Sequence, residues 1–181
     1  MSSISDLTPG VWNVDPSHST IGFVARHLMV SKVRGHFGTF SGTITIADDP
    51  LQSKVEATVD IGSITTGDDT RDGHLKSADF FDHDKNPTMT LASTGIDSKG
   101  GNDYVLHTDL TVNGITKAVD FDLEFDGVSG DPWGGTRAGF TAEADVNRKD
   151  WGLEWNVALE TGGVLVGEKV KIVLEIEAIK A

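Results

Sequence analysis

The chain has 181 residues, no cysteine and a formal net charge of −13 at pH 7. This length fits one domain, so we expect residues 1–181 to form a single unit whose core needs no metal or disulfide. The lack of cysteine excludes thiolate nucleophiles, zinc–thiolate sites and iron–sulfur clusters. The acidic charge argues against a nucleic-acid partner, and it would repel an anionic membrane surface.

The first twelve residues, MSSISDLTPGVW, contain neither the basic region nor the apolar run of a secretory signal peptide. No apolar run in the sequence approaches the ~18 residues that a membrane-spanning helix needs. We therefore expect a protein without a membrane span, located in the cytoplasm.

Apolar and polar residues alternate along most of the chain, which is typical of half-buried β-strands. In Lys54–Ile61, for example, the apolar residues fall on every second position. The Asn113-Gly114 pair between two such segments predicts a tight hairpin, because both residues tolerate a positive φ. The strands expected in chain order are Ser19–Leu28, Val33–Ile46, Lys54–Ile61, Thr88–Ile96, Tyr104–Val112, Ile115–Phe125, Gly139–Val146 and Lys169–Ile179.

Eight long strands with turn residues between most of them are typical of an all-β barrel or sandwich. Short connections make strands that are neighbours in sequence neighbours in space, and a closed barrel leaves no exposed sheet edge. The pattern therefore favours an eight-stranded antiparallel up-and-down barrel.

One segment between the strands has helical character. Residues 68–81 begin with aspartates, which the positive end of a helix dipole favours, and they end in Phe80 and Phe81. A connection of this length exceeds what a strand-to-strand turn needs. We expect a short helix at 68–81 that covers or gates one end of the barrel.

The polar residues with chemical potential are few. His27 shares a strand face with Phe23 and could point into the barrel, although such a histidine is more often a hydrogen-bonded core residue. Arg71 and His74 could meet a ligand headgroup at the barrel mouth, or they could fix the helix on the rim. Neither a zinc-binding motif nor a serine nucleophile motif is present, so we expect no metal, no cofactor and no catalytic residue.

Aromatic residues are spread over several strands and over two long connections, residues 68–81 and the tryptophan-rich Asn147–Asn156. They could fill the barrel and make it solid, or they could line a cavity for one apolar ligand, since an eight-stranded barrel is just wide enough to hold one. Small residues at inward positions, such as Ala57, Ala142 and Ala144, favour the cavity because close-packed interiors do not tolerate such voids.

Several segments resemble the YceI-like family, in order along nearly the whole chain. Among them are VDPSHS at 14–19, RDGHLKSADFFD at 71–82, LTVNGITK at 110–117 and NRKDWGL at 147–153. The resemblance implies a lipocalin-like eight-stranded barrel that binds a long apolar chain, such as a polyisoprenoid, an isoprenoid quinone or a fatty amide, in an elongated pore. It also implies a bacterial lipid carrier or sequestering protein, and a homodimer as one assembly.

The candidate ligand-binding residues combine apolar positions for the pore with polar positions for a headgroup. The apolar candidates are Phe23, Phe40, Leu75, Phe80, Met89, Leu91, Leu106, Leu110, Phe140 and Trp155, and the polar candidates are His27, Arg71 and His74. Two alternatives remain open: an enzyme on a small apolar substrate with Arg71 and His74 as acid/base groups, and a structural barrel with a solid interior.

Overall fold

The computed structural model describes residues 2–28, 30–156 and 166–181. Eleven β-strands and one α-helix, α1 at Asp69–Lys76, form the regular structure of these residues, together with short 3₁₀ turns. The strands are β1 Gly10–Val14, β2 Thr20–His27, β3 Ser31–Phe37, β4 Phe40–Ile46, β5 Lys54–Asp60, β6 Ile64–Thr65, β7 Thr88–Gly100, β8 Asp103–Val112, β9 Ile115–Gly130, β10 Thr136–Asn147 and β11 Val166–Lys180.

The strands close into an eight-stranded antiparallel barrel. Three pairs of shorter strands each take the place of one long strand. β1 and β2 both pair with β11, and β4 and β3 pair with β1 and β2 respectively. β5 pairs with β4, and β6 continues the course of β5 and pairs with β3. The ring then runs through β7, β8, β9 and β10 to β11, and pairing between β1 and β11 closes it. The predicted all-β barrel is confirmed.

The structure refines the predicted elements in three places. The single strand predicted at Val33–Ile46 is interrupted at Gly38-Thr39, where the chain bends from β3 into β4. Strand β1 lies before the first predicted strand. The helix ends at Lys76 rather than at residue 81, since the hydroxyl of Ser77 donates to the carbonyl of His74 at 2.6 Å and the chain then continues as turns.

The predicted hairpin at Asn113-Gly114 is confirmed. Val112 of β8 pairs with Ile115 of β9, and the two turn residues have φ values of +54° and +72°. Two successive residues with positive φ are what a type I′ turn requires.

The alternating strand directions separate two ends of the barrel. We call one the helical end; it carries α1, the β2–β3 turn, the β8–β9 turn and residues 148–156. The opposite end carries residues 47–53, the β7–β8 turn and the β9–β10 turn. The two ends differ in chemistry because α1 and the tryptophan-containing residues 148–156 both lie at the helical end.

Two ionic networks join strands on the outer surface. His107 of β8 lies between the carboxylates of Asp97 and Asp120, with both nitrogen–oxygen distances at 2.7 Å. Hydrogen bonds to these two carboxylates raise the pKa of His107, and they tie β7, β8 and β9 together.

No helix in the described ranges is long and apolar enough to cross a membrane.

Arg137 of β10 forms the second network, at the opposite end. Its guanidinium lies 2.8 Å from Asp15 and 3.0 Å from Asp131, and 3.7 Å from Glu177. Hydrogen bonds from Ser17, Arg137 and His18 hold the pKa of Asp15 well below its usual range. The network fixes the link between β1 and β2 to the β9–β10 turn and to β11.

Candidate functional site

The barrel interior is hollow. A cavity of about 280 Å³ runs inside it, lined by residues of α1 and of nearly every strand. On β11 alone the lining runs from Val166 at the helical end to Ile176. A bulge between Val166 and Val170 shortens this stretch, and its partner on β2, His27 back to Thr20, spans about 23 Å. The cavity is therefore elongated along the barrel rather than round. The solid interior considered from the sequence does not match this geometry.

The cavity wall is almost wholly apolar. Of its forty described lining residues, the ones with ionisable or small polar side chains are Ser41, Ser53, Glu56, Thr90 and Arg148. Glu56 is exposed to solvent, which leaves Arg148 as the buried charge on the described part of the wall. Apolar side chains offer no hydrogen bonds to water, so this wall suits a hydrocarbon chain better than water.

Most of the sequence-predicted apolar residues lie on this wall. The structure places nine of them there: Phe23, Phe40, Leu75, Phe80, Met89, Leu91, Leu106, Leu110 and Phe140. They come from five strands, from α1 and from the connection after it. Their direct contact with a ligand stays a prediction, but the fold brings them together around one space.

Phe23 holds its position on the wall because the residue opposite it is a glycine. Phe23 pairs with Gly35 across β2 and β3, and its ring lies over that glycine. A Cβ atom on Gly35 would lie only 2.3 Å from Cζ of Phe23. The glycine therefore gives the ring the room in which it packs, against Phe37 at 5.8 Å between ring centroids.

Arg71 fastens the helix instead of facing the cavity. Its Nε donates to Oγ1 of Thr66 at 2.7 Å, and its Nη2 donates to the Thr66 carbonyl at 2.9 Å. The same Thr66 donates its hydroxyl and its backbone N–H to the buried carboxylate of Asp72. The sequence allowed a role in fixing the helix, and the structure shows it, through Thr66 rather than through an ion pair.

His74 and Trp155 form an aromatic cover at the helical end. The ring of His74 packs edge-on against Phe80 at 5.1 Å and against Trp155 at 4.5 Å, and Phe80 and Trp155 lie 5.5 Å apart. His74 Nε2 also lies 2.8 Å from Asp79. Of these residues Phe80 alone lines the cavity, so His74 and Trp155 form an outer layer behind it.

His27 lies at the end of β2, beyond the described cavity wall. The alternation of β2 places it on the face of Phe23, but the strand leaves the barrel at this point and turns back into β3. The polar residues His27, Arg71 and His74 are thus not gathered at one place in the cavity. This geometry gives no support to Arg71 and His74 as an acid/base pair on a substrate held there.

Arg148 is the polar residue that sequence reasoning missed. It is 5% exposed and lines the cavity at the helical end. Its Nε, Nη1 and Nη2 donate to the carbonyls of Gly167, Leu153 and Val166 respectively. Its guanidinium carbon lies 5.8 Å from the centroid of the Phe80 ring. Burial lowers the pKa of Arg148, although an arginine remains charged at neutral pH.

A signal for Arg148 was present in the sequence. The inward positions of β10 are Phe140, Ala142, Ala144 and Val146, and position 148 continues the same alternation. Arg148, which points inward near the buried Trp151, therefore adds a positive charge to an otherwise apolar part of the wall. Three of its N–H groups have backbone acceptors, and no described residue accepts from the other two.

One group of side chains on the outer surface has the spacing of a metal site. Ligand atoms of Asp15, His18 and Glu177 lie within 4.8 Å of one another. The guanidinium of Arg137, however, already contacts two of these carboxylates. Because this internal cation supplies the positive charge, we assign the group to the stability of the fold.

Comparisons with known proteins agree with this architecture. A UPF0312 protein of Staphylococcus epidermidis is 41% identical over 162 residues, which cover 88% of this chain and 92% of the relative. Among solved structures, the Campylobacter jejuni YceI protein matches with a TM-score of 0.73 at 26% identity, covering 86% of this chain and 90% of that one.

A third comparison shows likeness of fold alone. A polyisoprenoid binding domain from Saccharophagus degradans matches with a TM-score of 0.71 at 17% identity, and it covers 94% of this chain and 98% of its own. The model of the YceI-like domain matches residues 12–178. The resemblance seen in the sequence is therefore confirmed, and this chain belongs to the YceI-like family.

Proposed function

We propose that the protein binds one long apolar lipid inside the barrel, for transport, storage or sequestration. The observation that carries the proposal is the elongated cavity of about 280 Å³ with an almost wholly apolar wall. Its ligand is a polyisoprenoid, an isoprenoid quinone or a fatty amide. The fold shared with a polyisoprenoid binding domain supports this class of ligand.

The energetic cost of an empty cavity supports a resident ligand. Voids in protein cores cost about 24 cal/mol per Å³, so 280 Å³ of empty space corresponds to roughly 7 kcal/mol. That amount is comparable with the whole stability of a typical domain, about 5–15 kcal/mol. A hydrocarbon chain that fills the space restores the missing contacts, and apolar burial then drives the binding.

Arg148 gives the ligand an orientation. Two N–H groups of this buried guanidinium have no acceptor among the described residues. They can donate to a carbonyl, hydroxyl or amide oxygen of a ligand. We therefore place the headgroup at the helical end beside Arg148 and Phe80, with the chain directed along β11 toward Ile176. Leu75 of α1 and Phe80 close the wall around that position.

Binding rather than catalysis fits this site. Arg71 and His74 are held by Thr66, Asp79 and two aromatic rings, away from the described wall. The family is one of binding domains, and we propose no reaction. The cytoplasmic location, the homodimer and the absence of a cofactor stay predictions.

The proposal is tested by binding of defined lipids to protein from which any lipid has been extracted with solvent. We expect stoichiometric uptake of a polyprenol or a long-chain quinone, measured by mass spectrometry under native conditions. Phe23→Asp places a charge on the apolar wall, and we expect it to abolish retention. Trp133→Asp is the matched control, because Trp133 is 82% exposed at the opposite end.

Two results would contradict the proposal. One is failure of the folded wild-type protein to take up any polyprenol, quinone or fatty amide. The other is equal retention by folded Phe23→Asp and Trp133→Asp, which would remove Phe23 from the binding surface.

A further inference from the structure

The hairpin of β2 and β3 differs in charge from the rest of the chain. Residues 16–47 contain no aspartate or glutamate, although the chain as a whole has 28 of them. The same stretch contains Arg26, Lys32 and Arg34, and all three side chains are exposed. A protein with a net charge of −13 thus has one hairpin whose own charged side chains at neutral pH are all basic. We call residues 24–34 the basic hairpin.

The positions of the cations in the basic hairpin lower the stability of the hairpin. Arg26 and Lys32 are direct partners across β2 and β3, and like charges directly opposite each other destabilise a sheet. Arg34 lies two positions further along the same face of β3. None of the three makes an ion pair or a hydrogen bond through its side chain with any residue in the described ranges.

Most acidic residues of the neighbouring strands are already engaged, and Glu175, which lies opposite Thr20, is outside the basic hairpin. On β11, Glu168 pairs with Lys149 at 2.8 Å. On β10, Glu143 contacts Lys171 of β11, which lies opposite Val24 of the hairpin. Charges that protect an exposed strand edge can be of either sign. A basic cluster that has no ion pair with any described residue, in a strongly acidic chain, points instead to an anionic partner.

The tip of the basic hairpin is apolar. Leu28 and Val30 are 41% and 81% exposed, in the turn between Arg26 and Lys32. Exposed apolar side chains ringed by cations are the pattern of segments that enter the headgroup region of an anionic bilayer. A nucleic acid or an acidic protein would match the cations but would leave the two aliphatic side chains without a partner.

The tip also lies beside the mouth of the cavity where we place the headgroup. His27 is in register with Val166 of β11, and the Val166 carbonyl accepts from the guanidinium of Arg148. Phe23 and Ala25, on the inner face of β2, line the cavity. A surface that held this tip would therefore face the helical end of the barrel.

We propose that the basic hairpin docks the protein on an anionic lipid bilayer, with Leu28 and Val30 in the headgroup region. In this position the cavity opens toward the source or destination of its lipid, so this inference rests on the proposed function. The net negative charge does not prevent docking. Salt screens interactions between charges that are more than about 10 Å apart at 0.1 M ionic strength. The bilayer is therefore attracted mainly by the charges of the protein surface that faces it, which is the basic hairpin.

The test is sedimentation of the full chain with vesicles of phosphatidylcholine, with and without phosphatidylglycerol. We expect binding only to the anionic vesicles, weakened by added salt. The variant Lys32→Glu/Arg34→Glu should lose more than tenfold in partitioning, since each cation near such a surface contributes roughly fivefold. The control Lys54→Glu/Lys117→Glu changes the net charge equally on strands away from the hairpin, and it should change binding less than threefold.

A further variant tests the apolar tip. Val30→Ser keeps every charge and should weaken vesicle binding severalfold. The thermal midpoints of Val30→Ser and of the control should match the wild type, because the altered side chains are exposed. The midpoint of Lys32→Glu/Arg34→Glu should be equal or higher, because Lys32→Glu removes the like-charge pair with Arg26. Wild-type protein that ignores anionic vesicles, or an equal loss in both charge variants, would overturn the proposal. Retention on a polyanion such as heparin without vesicle binding would also overturn it, and would indicate an acidic macromolecule as the partner.

Failure of docking and failure of lipid binding are distinguishable in the same preparations. Native mass spectrometry of Lys32→Glu/Arg34→Glu should show the same lipid content as the wild type, because neither side chain lines the cavity. Vesicle binding by a wild-type protein that takes up no lipid would refute the proposed function and leave docking intact.

Discussion

Filling the cavity is the most informative perturbation of this barrel. Ala142 lies on the cavity wall in the middle of β10, between Leu123 of β9 and Leu174 of β11. A phenylalanine at this position would place its ring in the void. Core Phe→Ala substitutions cost about 3–5 kcal/mol, and a ring that enters existing space should recover part of that amount. We expect Ala142→Phe to stabilise the lipid-free protein by about 1–3 kcal/mol.

Ala138 is the matched control on the same strand. It has the same inward orientation and is 2% exposed, but it packs in the core at the opposite end and does not line the cavity. Ala138→Phe should therefore overpack that core and destabilise the protein by about 1–3 kcal/mol. The two variants carry the same chemical change and are expected to shift stability in opposite directions.

The assay is thermal or urea unfolding of delipidated protein, with lipid uptake measured in parallel. For a chain of this size, 1 kcal/mol corresponds to a midpoint shift of about 2–4 °C. Ala142→Phe should raise the midpoint and lose uptake of a long lipid. If Ala142→Phe destabilised the protein as much as Ala138→Phe and left lipid uptake unchanged, the reasoning from an open cavity would be refuted.

Three further predictions concern the charged groups. Hydrogen bonds to its two carboxylates raise the pKa of His107, so its contribution to stability is full below the unfolded pKa of about 6.5 and is lost as the pH rises through the folded value. His107→Gln should remove this part of the pH dependence in urea titrations, and an unchanged profile would exclude the effect. Arg137→Met should destabilise the protein at neutral pH, because it leaves Asp15 and Asp131 without their cation. Those carboxylates have lowered pKa values, so the cost should shrink as acid protonates them, and a cost independent of pH would contradict this account. Arg148→Met should weaken binding of a polyprenol by roughly tenfold or more without weakening binding of the corresponding hydrocarbon, since only the former offers an oxygen to the guanidinium. Equal affinities of wild type and variant for the polyprenol would move the headgroup away from Arg148.

The barrel could be predicted because its determinants are local. Alternation along segments such as Lys54–Ile61, and the Asn113-Gly114 turn, fix the strand faces and one register without reference to distant residues. The break at Gly38-Thr39 was missed, although the alternation changes phase there, from Gly35 and Phe37 to Phe40 and Ile44. Strand β1 is short, and its partners β4 and β11 lie far away in sequence.

The apolar wall followed from the same alternation, but the polar sites did not. Arg71 and His74 were attractive because of their chemistry, yet Thr66 and Asp79 compete successfully for their donors. Both partners lie only five residues away in sequence, but the sequence does not show whether α1 directs the two side chains to them or to the cavity. Arg148 could have been found by extending the alternation of β10, whereas its acceptor carbonyls around Val166 belong to a different part of the chain.

Native mass spectrometry of the freshly purified protein, followed by solvent extraction of whatever it releases, tests the central claim most directly. We predict a stoichiometric adduct of an apolar chain compound in the wild type and its loss in Ala142→Phe. A wild-type mass without an adduct, which stays unchanged after incubation with polyprenols, quinones and fatty amides, would contradict the account.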